Sequence, residues 1–475
     1  MGITQLKHIS LYAVSLVLVK GISLITLPVM THFLNPKQIG QLELLGVTTV
    51  FLSLVVGLAM HENLYRFIGT IDCGYRRKKH AAKLYSASLS LSIVLSAGIL
   101  TIYQLVAPNS LLITDNQVLL MALVLCFEAP LAIGLAWLRL HNQATLFFKL
   151  CMATVGAQLT LLLLVLMTRP DVTTIFAVNV AASFGQFLFL HYYLSFGFRL
   201  PSLNQCQHYL SYSAPLMLSA VVAFGLSGAE RWIIAGITDL STLGLYAIAA
   251  KFALAVGIAL QPFHMWWMPK RFEAMQRRGG DYVATTTTQG AVLLCTLAVA
   301  ICWLSQLFIH WMMPPVYLAA IPFIGITIMM MVFKEMVELC NFGLLYQRKT
   351  SQLLVINLVS TVLAFGVCFA VRNFGTYAIL LALMTGQLCR LVLVFVQSQA
   401  LRPLNYPVVQ IAGLLLMTCL FIITSQYSFH PQWSLLMLGL ELAVLLGFAA
   451  RSRLIDVKRV RTLLLELQGS LGKAS

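Results

Sequence analysis

The chain runs to 475 residues, of which 60% are hydrophobic and only 10% charged. Soluble domains carry about 25% charged residues, so a water-soluble fold is excluded and a chain that crosses a bilayer many times is expected. A net charge of +16 on a soluble protein would suggest a nucleic-acid partner, but here most basic residues sit in short segments between apolar runs, the pattern that sets membrane orientation.

Fourteen apolar spans are predicted, all helical: 9–31, 43–60, 84–107, 118–138, 150–168, 173–195, 214–237, 243–267, 285–308, 318–342, 352–371, 375–397, 407–424 and 433–450. Residues 1–31 read as the first membrane helix and not as a cleavable leader, because Lys20 interrupts the apolar run and no A-x-A site follows. An even number of spans places both termini on one side. Of the 31 Lys and Arg residues, 23 lie at the termini and in alternate loops, whereas the opposite loops hold three, Lys37, Arg169 and Arg372. That asymmetry predicts cytoplasmic termini. All loops are too short to hold a soluble domain, so any chemistry must lie between helices. The ten cysteines are scattered without CxxC or Cys/His ligand spacing, so neither metal nor disulfide is expected. Beyond the last span, 451–475 reads as a basic tail with Val457, Val460, Leu464 and Leu467 on one face, suited to the inner leaflet.

Five cations fall inside spans: Lys20, Arg231, Lys251, Lys334 and Arg390. Charge inside hydrocarbon costs roughly 3 kcal/mol per group even on the milder scales. Lys20 lies eleven residues from either end of its span, or roughly 16 Å, too far for its stem to reach water unaided. The stretch 209–271 reads as two antiparallel helices that bring Arg231 and Lys251 to similar depth. Lys20, Arg231 and Lys251 are therefore expected to line a polar cavity, with Glu230 orienting one of the cations. Glu230 and Arg231 are adjacent, about 100° apart on a helix, and are not expected to pair with each other. Lys334 and Glu338 are spaced i, i+4 with Glu335 between them, which suggests a self-satisfied pair. Arg390 is near enough to the inner end to snorkel. Glu128 and Glu441 are single carboxylates that could be neutral and hydrogen-bonded, or take part in proton coupling. Pro28, Pro130 and Pro322 should bend their spans. His61 and Glu62 begin an HExxH pattern that Tyr65 breaks, and no GxxxxGK[ST] stretch is present.

Two helix–turn–helix units look alike, 25–45 and 232–248. Gly40 and Gly244 each follow a polar turn and open the next helix, and at the same offset Arg66 falls on Lys270. Six helices separate the units, so the halves run in the same direction. The expected architecture is two parallel six-helix lobes around a central cavity plus two extra C-terminal helices. The predicted boundaries are 1–200 for the N-lobe, 201–400 for the C-lobe and 401–450 for the extra helices.

The segment LSYSAPLMLSAVV…AERWIIAG…STLGLYAIAAKFA resembles the start of the second lobe of Wzx-like oligosaccharide flippases, members of the MATE/MOP exporter superfamily. The opening LVKGISLITLPVMTHFLNPKQIGQLELL is similar to the first helices of that family. The resemblance implies a transporter, not an enzyme. It would move an undecaprenyl-diphosphate-linked oligosaccharide across a bacterial inner membrane by alternating access, for O-antigen, capsule or exopolysaccharide synthesis. Position by position it carries over Lys20, Arg231 and Lys251 as cavity cations that offset the diphosphate. The chain departs from the family pattern at HENLYRF (61–67), which leaves an inner-gate role for Arg66 unsupported. The implied partners are the lipid-linked glycan, membrane lipids, a polysaccharide polymerase and a chain-length regulator, with no nucleic acid. No cofactor is implied; coupling to a proton or sodium gradient or to membrane potential stays open.

Three other readings are open. A lipid II-type flippase shares the plan, but its arginine-rich first helices are not matched in 9–66. A MATE-like drug or cation antiporter resembles it too, yet the span 9–31 has Lys20 and no carboxylate. A membrane polysaccharide polymerase would need a large outer loop, which the sequence lacks.

Overall fold

The computed structural model describes residues 19, 21–69, 71–106, 113–225, 227–426 and 431–454, and among these the regular structure is entirely helical. The principal helices are α1 (Leu27–Phe33), α2 (Pro36–Gly57), α3 (Gly74–Val106), α4 (Asp115–Leu140), α5 (Ala144–Thr168), α6 (Val172–Leu194), α7 (Leu203–Gly225) and α8 (Glu230–Ile237). They continue with α9 (Leu240–Trp267), α10 (Arg271–Met312), α11 (Ile321–Cys340), α12 (Thr350–Ala370), α13 (Thr376–Leu401), α14 (Val408–Ser425) and α15 (Pro431–Arg451).

Among the described residues 12 helices are long and apolar enough to cross a membrane, and α7 with α8 forms a further span broken by a 44° bend. These correspond to every expected span except the first. The span 9–31 falls mostly outside the described residues, Lys20 included, as does most of the basic tail. The spans are exposed where a soluble helix could not be. Over its most apolar window α5 is only 22% buried, and Leu161, Leu163, Leu164 and Met167 stand exposed along it. In water such a face would drive aggregation; against lipid it needs no cover.

The chain divides into two compact units, Met1–Ala247 and Ile248–Ser475, with the division inside α9. In the first, α4 is central: it packs on α2, α3 and α6, and Phe127, Phe187, Leu190 and Tyr85 lie in the shared core. Helix α7 packs on α2 and on the short helix Met60–Asn63. In the second unit α10 packs on α11, α14 and α15, and α13 on α11 and α12. Glu441 of α15 accepts hydrogen bonds from Trp303 Nε1 (2.6 Å) and Thr424 Oγ1 (2.6 Å), which ties the last two helices to α10.

Three local expectations are corrected. Pro322 stands in the first turn of α11, after a 3₁₀ stretch Pro315–Ala320, so it opens a helix where its missing N–H costs nothing. Pro28 likewise stands in the first turn of α1, and of these three prolines Pro130 alone lies inside a helix. Helix α10 begins well before the expected 285: an amphipathic segment from Arg271 is joined to the apolar part by a non-helical turn at Gly279 (φ 81°).

Candidate functional site

The two repeat turns meet. A Cβ added to Gly40 would overlap the carbonyl oxygen of Leu240 and come within 2.9 Å of Gly244 N. A Cβ added to Gly244 would overlap the carbonyl oxygen of Pro36 and come within 3.0 Å of Gly40 N. The contact is reciprocal: Pro36 and Gly40 stand to Leu240 and Gly244 as the latter stand to the former. The paired glycines seen in the sequence thus let two backbones touch, which no side chain would permit.

Next to this contact Arg231 gathers a polar cluster. Its Nε lies 2.5 Å from Glu43 Oε1 on α2, and its Nη1 lies 2.7 Å from Glu230 Oε1. Tyr246 Oη donates to the same Glu230 oxygen (3.3 Å), and the guanidinium lies over the Tyr246 ring at 5.9 Å. Trp232 Nε1 donates to Thr48 Oγ1 (3.0 Å), and its ring packs edge-on against Phe51. These contacts fasten α8 to α2. Glu230 is almost fully buried, at 4% exposure.

One expectation changes here. Glu230 and Arg231 do pair, because Glu230 is the first residue of α8 and the long guanidinium can reach back to it. Two carboxylates thus oppose the Arg231 charge. Glu43 was not singled out from the sequence; the available signal was a carboxylate at the edge of an apolar span.

Lys251 lies half-buried in α9, within the second unit. Lys20 is outside the described residues. Glu128 on α4 is half-buried and faces Ser53 of α2.

A second polar cluster occupies the second unit. Lys334 and Glu338 form no ion pair; instead Glu335 Oε2 lies 3.4 Å from His264 Nδ1, and Glu338 Oε2 accepts from Asn341 Nδ2 (3.1 Å). Arg390 does not snorkel: it is 9% exposed, and its Nε donates to Asn357 Oδ1 (2.8 Å). Arg271, which the sequence places in an inner loop, is 4% exposed, with Nη1 donating to the Glu338 carbonyl (3.2 Å). Neither arginine has a carboxylate within ion-pair distance among the described residues. His264 and Arg271 were missed from the sequence because both stand near the ends of spans, where ionisable residues are ordinary.

Among the described residues, long apolar helices that carry buried charges define a multi-pass membrane protein. The fold agrees with solved structures of that class. "Lipid II flippase MurJ, inward closed conformation" matches with a TM-score of 0.70 at 12% identity, covering 93% of this chain and 98% of that one. A multidrug resistance MATE family transporter of the MOP superfamily in an inward-facing conformation matches at 0.55 with 14% identity, covering 80% and 94%. A MATE in the straight conformation matches at 0.54 with 13% identity, covering 82% and 95%. No curated protein matches the chain in sequence at a significant level. The family described as "Polysaccharide biosynthesis protein" matches residues 5–275, more than half of the chain, and the chain belongs to it.

Proposed function

We propose that this protein is a flippase that moves an undecaprenyl-diphosphate-linked oligosaccharide from the inner to the outer leaflet of a bacterial cytoplasmic membrane, for surface polysaccharide assembly. The observation that carries the reading is the polysaccharide-biosynthesis family match on a MOP-type transporter fold. A diphosphate cannot enter hydrocarbon without counter-charge, and a cation in a low-dielectric site lowers that barrier. Lys20, Arg231 and Lys251 are the proposed contacts to the anionic substrate. Arg231 acts together with Glu43 and Glu230, which reduces its net pull on an anion. Glu128 is proposed as a supporting polar group. The transport cycle is alternating access, both termini are cytoplasmic, and a polymerase and a chain-length regulator take up the product.

The test is complementation of a strain lacking the gene. Single Lys20→Ala, Arg231→Ala and Lys251→Ala variants are compared with wild type for surface polysaccharide and for lipid-linked repeat units retained inside. Unchanged polysaccharide on deletion contradicts the function. Full export by all three variants at normal protein level contradicts the site. A second reading, transport of lipid II, is favoured by the better fold match to MurJ than to the MATE structures. Rescue of cells depleted of their lipid II flippase would establish it.

A further inference from the structure

We propose that His264 and Glu335 form a proton-carrying pair, reached past Glu338, through which transport is coupled to a proton gradient. The use of the pair rests on the transport reading; its chemistry does not.

The pair lies between α9 and α11, with His264 Nδ1 3.4 Å from Glu335 Oε2 and both side chains largely buried (13% and 14% exposed). Gly257, two turns before His264 on α9, makes room for Glu335: a Cβ there would lie 3.3 Å from Oε1. Three buried polar atoms at or near the pair, His264 Nε2, Arg271 Nε and Asn341 Oδ1, have no hydrogen-bond partner among the described residues. Burying such atoms is costly unless water reaches them. The neighbouring Glu338 is exposed, and an exposed carboxylate against hydrocarbon would be costly. The exposed face of Glu338 is therefore the aqueous side from which the proposed pair would be reached.

Charged groups from several helices surround the pair. Arg271 from α10 and Glu338 from α11 both act on His264. Arg390 from α13 acts on the group through Glu338. Lys334 precedes Glu335 on α11, and Lys270 follows on from α9. Tyr406, in the loop before α14, faces Arg271; burial pushes its phenol up, so it adds no charge. A proton added to the imidazole creates an imidazolium facing the Glu335 carboxylate. Its release to the other side restores the neutral ring.

The test uses the full chain in lipid nanodiscs with ¹⁵N-labelled histidine. The signal lost in His264→Gln identifies the imidazole. It is expected to titrate between pH 4 and pH 9, and Glu335→Gln is expected to move the midpoint by about one pH unit, because the carboxylate that favours the imidazolium is gone. An imidazole that does not titrate, or one indifferent to Glu335→Gln, overturns the pair. In cells, export by wild type should fall at least tenfold with a protonophore, and His264→Gln should export poorly with or without it. Wild-type export by His264→Gln in a strain whose deletion abolishes export overturns coupling and leaves the flippase reading intact. Unchanged export on deletion of the gene overturns the flippase reading, and the titration still decides the pair.

Discussion

Arg231 in the first unit and Arg390 in the second are both guanidinium groups on membrane helices, and the protein treats them differently. Arg231 is clasped by Glu43 and Glu230. Arg390 is held by the neutral amide of Asn357. The first arrangement neutralises the charge where it stands and uses it to join α8 to α2. The second leaves the charge on a neutral amide, within the field of Glu338. Placement of an ionisable residue in an apolar span therefore does not tell its role; the partner does.

The largest expected effect tests the first arrangement. Arg231→Ala strands two carboxylates, one of them almost fully buried, and should lower stability by about 3–5 kcal/mol. The measurement is thermal unfolding of the purified chain, and adding Glu43→Gln and Glu230→Gln should recover much of the loss. An Arg231→Ala protein that melts like wild type would remove the structural role.

The second arrangement should break more gently. Asn357→Ala removes the acceptor of a charge-assisted hydrogen bond and should cost about 1.5–3 kcal/mol. No carboxylate change within α11 should mimic it.

The reciprocal glycine contact adds a test of equivalence. Gly40→Ala and Gly244→Ala should each cost about 1–3 kcal/mol, by similar amounts, since each forces a Cβ into a facing carbonyl. Gly46→Ala in the same helix meets no atom within 4 Å and should leave the melting temperature unchanged or slightly raised. Unequal losses at the two contact positions would break the repeat.

The smallest effect is at Lys334. Without an ion pair to Glu338, Lys334→Ala should change stability by no more than about 0.5 kcal/mol. A loss several times larger would show that the i, i+4 pair forms in the membrane after all.

The membrane character, the later thirteen spans and the likeness of the two glycine turns were legible in the sequence. Each follows from local composition: a helix must be apolar over its length to lie in lipid, and a glycine opening a helix is visible in one dimension. Pairing was not legible. Glu43 and Arg231 are far apart in the chain, His264 looked like an ordinary helix-end residue, and Arg271 looked like part of an inner loop. The i, i+4 spacing of Lys334 and Glu338 suggested a bond that the helix does not make, because Glu338 is engaged by Asn341 and by the Arg271 side chain at its own carbonyl. Composition set where charge would be expensive. Only the packing of helices against one another decided which opposite charge, amide or route to water answers it, because those distances are made between segments and not within them.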